Sequence, residues 1–515
     1  MTGPRLLTEA LEGGALTRTA LDQRAPEGWY PPRPLNVEQW RTRAEATRSG
    51  ARAWLESLRP AFDAKGAAKE RLERVAIAGG VVVTTGQQPG LFGGPGYTIL
   101  KALSALALAD RIEADTGIPA APVFWAATDD ADFEEARWTT VAIDGTARHL
   151  ALDRRGADGM VMAEYPLGET RAVLEALATA AGSVSAPHVL DAARDAYGAR
   201  GATIGGAYVR LLRSLLEPLG IPVLDAWHPA VREQARPTLL DALRRASAVD
   251  EAVSLRTVAI ERTGFRAQVQ RVPRLSLVFR SQGGVKERVP LLQAAEVAAQ
   301  SDAVLSANVL LRPVVERAIL PTVAYVGGPG EIAYFAQVSA VADTLGVPVP
   351  LIVPRWSATV IEPNIDRMLG RLGMVVEDVR VPHLAEKRIG DRGIANAVRD
   401  ALAALRAEVH GKMDGLRDAV HADRALVPAP VLEGARHQLL HRMERLERRL
   451  RRAAAQREAD AMHDLAEVRA ALVPEGERQE RRLNFLPMLA RHGDALLAPM
   501  RAGAALHAGQ LVGPK

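Results

Sequence analysis

The densest run of reactive side chains in this sequence is Thr128-Asp129-Asp130-Ala131-Asp132-Phe133-Glu134-Glu135, five carboxylates in eight residues. Carboxylates this close can take a proton from an amine, bind Mg²⁺ or hold a substrate ammonium. They can equally be the acidic first turn of a helix, favoured by its dipole. Asp129, Asp130 and Asp132 are the stronger candidates for chemistry. A second group is the loop Gly86-Gln87-Gln88-Pro89-Gly90-Leu91-Phe92-Gly93-Gly94-Pro95-Gly96. Clustered glycines let backbone N–H groups approach an anion, and a following helix N-terminus adds a favourable dipole. Thr84, Thr85, Gln87 and Gln88 add polar groups, and Lys101 follows shortly after. Neither GxxxxGK[ST] nor GxGxxG is present, so the loop also reads as a tight structural turn. A third group gathers Asn308, Arg312 and Glu316, then Tyr325, Glu331, Tyr334 and Gln337, then Arg355. Arginine grips carboxylate or phosphate bidentately, or else forms structural ion pairs. Glu331 sits where a dipole-favoured helix starter would sit.

These groups need a frame. Val81-Val82-Val83 and Ala121–Ala127 read as buried strands, with a helical pattern from Tyr97 to about Asp115 between them. Strand, glycine turn, helix, strand is the unit of a parallel α/β sheet, and such sheets bind ligands at the carboxyl ends of their strands. The same order returns with a strand at Val323–Val326, a turn at Gly327–Gly330, a helix at Glu331–Leu345 and a strand at Val347–Val353. Between the halves, Thr140–Ile143, Thr257–Ile260 and Leu275–Phe279 look like strands, and 169–182, 207–217 and 229–247 like helices. Residues 1–75 look helical.

Further on, Ile394, Val398, Leu402, Leu405, Val409, Met413, Leu416 and Val420 recur at three- and four-residue spacing, as do Leu439 through Leu472. Pro428 and Pro430 interrupt them, which predicts an antiparallel coiled-coil hairpin of two long helices. Its arginines, Arg442, Arg445, Arg448, Arg449, Arg451 and Arg452, read as a solvated face paired with Glu444 and Glu447, without the interleaved aromatics of a nucleic-acid surface.

Composition narrows the classes. The 515 residues are 48% hydrophobic and 24% charged, as in a globular protein. A net charge of +4 is small for a nucleic-acid-coating protein. No cysteine is present, which excludes disulfides, thiolate metal sites and a cysteine nucleophile. The eleven histidines show neither HxH nor HExxH spacing, so no metal ligands are assigned. No apolar run reaches membrane-spanning length, and the first twenty residues carry no signal-type apolar stretch. A cytoplasmic protein is expected.

With these residues in view, the chain resembles the bacillithiol-biosynthesis cysteine-adding enzyme family. The resemblance rests on Thr84-Thr85-Gly86-Gln87-Gln88-Pro89-Gly90, Gly94-Pro95, Tyr97-Thr98-Ile99-Leu100-Lys101, Pro122-Val123-Phe124-Trp125, Asp130-Ala131-Asp132-Phe133, Asn308-Val309-Leu310-Leu311-Arg312-Pro313, Ala324–Tyr334 and Gln479-Glu480-Arg481 with Asn484 and Leu486-Pro487. It covers essentially the whole chain in order. One departure is Ala131, where the family's pattern leads one to expect histidine.

The resemblance implies a Rossmann-like core with inserted connecting subdomains and a coiled-coil arm for homodimerisation. It also implies addition of cysteine to glucosaminyl-malate through an amide to the sugar's 2-amino group. The poorly reactive carboxylate would be activated by a nucleotide, ATP with Mg²⁺. The expected organisation is 1–140 and 301–390 as the two core halves, 141–300 as further strands and an insertion, 391–475 as the hairpin, and 476–515 packing back on the core. Asp130, Asp132 and Glu331 are then expected to be catalytic. Thr85, Gly86, Gln87, Gln88, Gly90 and Lys101 would hold the nucleotide, and Asn308, Arg312, Tyr325 and Arg355 the substrate. A nucleotidyl- or glycosyltransferase acting on another acceptor, or a non-catalytic nucleotide-binding dimer, fits the same residues.

Overall fold

The computed structural model describes residues 3–48, 53–423 and 427–513. Two compact units share the chain, one formed by Thr2–Val141, Arg148–Val360 and Gln479–Lys515, the other by Ala142–Ala147 and Ile361–Arg478. The first unit carries a Rossmann-like parallel sheet and the second a helical hairpin, the fold class expected from the sequence.

The sheet begins with β1 (Val81–Gln87), buried except at Gln87. Its valines favour the pleated backbone, and a strand covered on both faces can be apolar throughout. The glycine loop leads into α1 (Tyr97–Thr116), which ends at Gly117 with φ 74°, a left-handed cap. Strand β2 (Ala120–Ala126) pairs in parallel with β1, from Val81 opposite Ala120 to Gln87 opposite Ala126. Strand β3 (Val223–Asp225) adds beyond β2.

Helix α2 (Ala246–Arg262) comes next and overturns one expectation, because it contains Thr257–Ile260. The β-branched run looked like a strand locally. Over seventeen residues, however, Ala246, Val249, Val253 and Ile260 are buried at helical spacing. A separate antiparallel sheet is built from β4 (Leu275–Gln282), β5 (Val285–Pro290) and β6 (Val304–Ala307), with β4 in the middle.

Helix α3 (Arg312–Ile319) then leads to β7 (Thr322–Gly327), which pairs with the other edge of β1. Helix α4 (Pro329–Leu345) is buried continuously from Ile332 to Ala342, as suits a helix that is apolar on every side. The expected strand Val347–Val353 shrinks to β8 (Ile352–Pro354), parallel to β7. Pro348 and Pro350 have no N–H to donate to a ladder, which keeps the earlier residues out of it. The completed order is β8-β7-β1-β2-β3.

The segment after Gln479 closes this unit. The Gln479 amide accepts from the Val360 N–H at 2.8 Å and donates to its carbonyl at 2.9 Å, copying a strand's pairing. Asn484 donates Nδ2 to the carbonyls of Phe92 (2.8 Å) and Gly94 (2.9 Å), and Leu483 O accepts from the Gly96 N–H. The late motif therefore fastens the glycine loop. Gly96 must be glycine, since a Cβ there would lie 2.3 Å from the Phe485 ring.

In the second unit, α5 (Asn396–Ala422) and α6 (Ala429–Arg457) form the hairpin. Their connection at 424–426 lies outside the described residues. Pro428 is the N-cap of α6 and Pro430 lies in its first turn, where a missing N–H costs nothing. The single helix expected through Leu472 is broken at Glu458 (φ −89°, ψ 62°) and resumes as α7 (Ala459–Leu472). Arg451 pairs with Asp391 at 2.6 Å and with Glu447 at 3.4 Å, and Arg448 with Glu444 at 4.0 Å. Among the described residues, no helix is long and apolar enough to cross a membrane.

Candidate functional site

A cavity of about 900 Å³ opens within the first unit at the carboxyl ends of β1, β2 and β7. Gly86, Gln87, Gln88 and Lys101 line it from the first strand–helix junction, Asp129, Asp130, Asp132 and Glu135 from the second. Gly328, Gly330 and Glu331 line it from the third. Three loops far apart in sequence converge because their strands are neighbours in one parallel sheet.

Glu331 is the most heavily bonded of these groups. Its Oε2 accepts from the Gly328 N–H at 2.7 Å and pairs with Lys101 Nζ at 2.5 Å, while Oε1 accepts from the Tyr325 hydroxyl at 2.6 Å. Burial alone would raise its carboxyl, but Lys101, the Gly328 N–H and Tyr325 hold it below the ordinary range. Lys101 Nζ also donates to Gly86 O at 2.7 Å and Gln87 Oε1 at 3.1 Å. Its three protons are therefore fully used. The expected phosphate-binding lysine is instead a buried tie between the β1 and β7 turns.

The later part of the expected phosphate cradle, Phe92–Gly96, is spent in the same way. The Phe92 N–H donates to the Tyr197 hydroxyl, Gly93 to Gly90 O, Gly94 to Leu91 O and Gly96 to Leu483 O. Those N–H groups satisfy protein acceptors, so they do not fit a triphosphate. Gly86 serves packing, since a Cβ there would lie 2.8 Å from Trp125 O.

Arg355, expected to hold substrate, donates Nη1 (2.8 Å) and Nη2 (2.6 Å) to Glu480 and Nη1 to Trp356 O at 2.9 Å. Its bidentate fork is occupied by protein. Arg312 differs. Its Nη2 donates to the Tyr334 hydroxyl at 3.2 Å, and among the described residues no carboxylate lies within ion-pairing distance. Behind it on α3, burial pushes the Glu316 carboxyl up to about 7, opposed by Thr84 and Arg312. Thr84 donates to Glu316 Oε1, while Oε2 is buried without a hydrogen bond.

On the acidic side, Asp130 Oδ1 accepts from the Asp132 N–H at 2.8 Å. Burial raises the Asp130 carboxyl, opposed by that N–H and by Lys286 and Arg312. Asp132 caps the short helix Phe133–Ala136, accepting from the Glu135 N–H at 3.0 Å. Glu135 is likewise raised, by burial and then by Asp132 and Asp130. Among the described residues no three His, Cys, Asp or Glu groups converge as a metal site, so this run does not fit as an Mg²⁺ cage. Asn308 holds the turn that leads into α3, its Oδ1 accepting from the N–H groups of Leu310 (3.1 Å) and Leu311 (3.0 Å).

Of the residues expected in the site, Thr85, Gly90 and Tyr325 do not line the cavity. Thr85 turns its hydroxyl to Val326 O, and Tyr325 acts through Glu331. Ala131 does line it, and no histidine does.

The family comparison agrees with this architecture. Residues 26–356 match the model of the bacillithiol biosynthesis BshC N-terminal Rossmann-like domain, and 358–508 that of the BshC C-terminal coiled-coil domain. The chain belongs to the BshC family. Similar BshC proteins, each named "Putative cysteine ligase BshC", include one from Solibacter usitatus, 34% identical over 82% of both chains. Others are from Symbiobacterium thermophilum (29% identical, 87% of this chain and 86% of the relative) and Geobacillus thermodenitrificans (27%, 87% and 86%).

Beyond the motifs that carry the BshC resemblance, the antiparallel sheet supplies wall residues that sequence reasoning missed, Phe279, Lys286 and Arg288. Lys286 Nζ donates to Asp129 O at 2.5 Å and lies 4.6 Å from the Phe279 ring centre. Arg288 donates to Ser276 O and covers the same ring. The only available signal was that lysine is scarce in this chain, with seven in all. Arg481, from the late motif, also reaches the cavity.

Proposed function

We propose that this chain joins the carboxyl of cysteine to the 2-amino group of glucosaminyl-malate, forming bacillithiol. The observation that carries this is one cavity with two opposed chemistries. Asp129, Asp130, Asp132 and Glu135 line it beside Arg312, Lys286 and the first turn of α4. A sugar ammonium suits the carboxylates, and the malate carboxylates suit Arg312 with the helix N-terminus.

Asp130 is assigned as the group that takes the amine proton, because its raised carboxyl is closer to the basicity such a transfer needs. Glu331 and Lys101 are assigned to positioning, and Arg312 to a substrate carboxylate. Cysteine's carboxylate needs activation before an amine can displace oxygen from it. Lys101 and the N–H groups of Phe92, Gly93, Gly94 and Gly96, expected to hold ATP, are bonded to protein groups, so no nucleotide contact is assigned to them.

Incubating the protein with cysteine and glucosaminyl-malate, with and without ATP and Mg²⁺, tests the reading by mass spectrometry. The expected product has the mass of the two substrates less one water. A product from a nucleotide and the sugar alone would favour the transferase reading. Absence of any adduct in every mixture would overturn the ligase.

We also assign homodimerisation to the hairpin. Leu405 is 43% exposed, Leu416 47% and Leu446 45%, an apolar seam that one chain leaves uncovered. Leu405→Glu with Leu416→Glu should give a monomer in sedimentation, whereas a persisting dimer would move the interface elsewhere.

A further inference from the structure

The amide of Gln87 can be oriented from its neighbours alone. Lys101 Nζ lies 3.1 Å from the Gln87 side chain and carries only donors. The amide atom facing it must be oxygen, because the flipped amide would set an NH₂ against an ammonium. Nε2 therefore points the other way. Gln87 lines the cavity, and its Nε2 donates to no protein group among the described residues. The backbone below is held as well, since Gln87 O accepts from the Ala127 N–H at 3.0 Å and the Tyr208 hydroxyl at 3.4 Å. Ala127 O in turn accepts from the Asp130 N–H, so the turn that carries Asp130 hangs from the same strand end.

We propose that Gln87, locked by Lys101, donates its Nε2–H to the acyl oxygen of cysteine and stabilises the charge that develops there when the amine attacks. This rests on the amide-forming reading above, with the cysteine carboxyl presented as an acyl phosphate or acyl adenylate. The amine nitrogen forms a bond to the acyl carbon, and the carbonyl π pair moves onto oxygen. Asp130 takes the proton that the nitrogen sheds. Collapse then restores the carbonyl and expels the phosphate oxygen with its bonding pair.

A neutral amide suits this task, because it strengthens as negative charge grows without binding the ground-state carbonyl tightly. Lys101 contributes twice. It prevents the flip that would present a carbonyl to the oxyanion, and by polarising Oε1 it makes the opposite N–H groups better donors.

Gln87→Glu is the informative variant. A carboxylate keeps the Lys101 contact and the shape but offers the cavity only acceptors. Its kcat should fall about 100-fold or more, with KM for glucosaminyl-malate changed less than about threefold. A second measurement does not depend on turnover. Calorimetry with a phosphonamidate analogue of the cysteinyl amide, whose tetrahedral P–O⁻ mimics the oxyanion, should show wild type binding it more tightly than glucosaminyl-malate. Gln87→Glu should lose about 100-fold on the analogue and about threefold or less on glucosaminyl-malate. Equal losses on both ligands, or an unchanged kcat and analogue affinity, would overturn the assignment. A wild type that neither forms the amide nor prefers the analogue would overturn the reading beneath it instead.

Discussion

Replacing Asp130 by Asn should slow amide formation by about 10²–10⁴-fold while glucosaminyl-malate still binds. The substitution keeps the oxygen that accepts from the Asp132 N–H, so the loop retains its form. It removes the only property the mechanism needs there, a lone pair basic enough to take the amine proton. The pH dependence has a definite sign. Asp130 is raised by burial, and it works only when ionised. The rate should therefore fall as pH drops through that raised value, giving an acid limb in kcat/KM above the range of an ordinary aspartate. In Asp130→Asn that limb should vanish from the residual rate. Asp132→Asn should be far milder, because Asp132 spends Oδ1 capping the helix at Phe133–Ala136, which Asn can also do. An Asp130→Asn enzyme within about tenfold of wild type would remove Asp130 from the chemistry.

The frame was more legible in the sequence than the roles. Glycine turns and helical spacing placed α1, β2 and β7 to within a residue or so, and the valine run found the start of β1 but not its last four residues, because local apolar periodicity decides buried strands and helices. It failed where context overrides the local pattern. Thr257–Ile260 is helical because the helix around it buries one face, and Val347–Leu351 stays out of the ladder because of its prolines. Polar partnerships were less legible still. A glycine-rich loop before a helix looks the same in sequence whether its N–H groups face a phosphate or, as here, Tyr197 and Leu483. Lys101 and Arg355 stand at the right positions for anion binding, but each is neutralised by a carboxylate, Glu331 and Glu480, far away in the chain. Arg312 kept its guanidinium open for the opposite reason: Glu331 and Glu316 act on it from farther off, but among the described residues no carboxylate forms an ion pair with it. Only the three-dimensional pairing of remote segments separates a binding arginine from a structural one.

That distinction sets the largest expected effect on stability. Arg355 and Glu480 have side chains only 3% and 1% exposed, joined by two hydrogen bonds. Glu480 also accepts from the Ser357 hydroxyl at 2.8 Å and the Ala358 N–H at 3.3 Å. Glu480→Ala should therefore cost about 3–5 kcal/mol, because it leaves a guanidinium buried without its counter-charge and removes the carboxylate that Ser357 and Ala358 donate to. Urea unfolding followed by far-UV dichroism would measure it as a lower midpoint with little change in slope. An exposed pair such as Arg171–Glu175, at 84% and 68% exposure, should lose less than about 1 kcal/mol by the same test. The double variant Arg355→Met with Glu480→Leu separates the two sources of cost. It removes both charges and fills the space with apolar side chains, so it should be clearly more stable than Glu480→Ala, short of wild type by the donors of Ser357 and Ala358. Should Glu480→Ala unfold at the wild-type midpoint, water must reach Arg355 and solvate it. The guanidinium would then be available to a ligand, and Arg355 would return to the substrate-binding role its sequence position first implied.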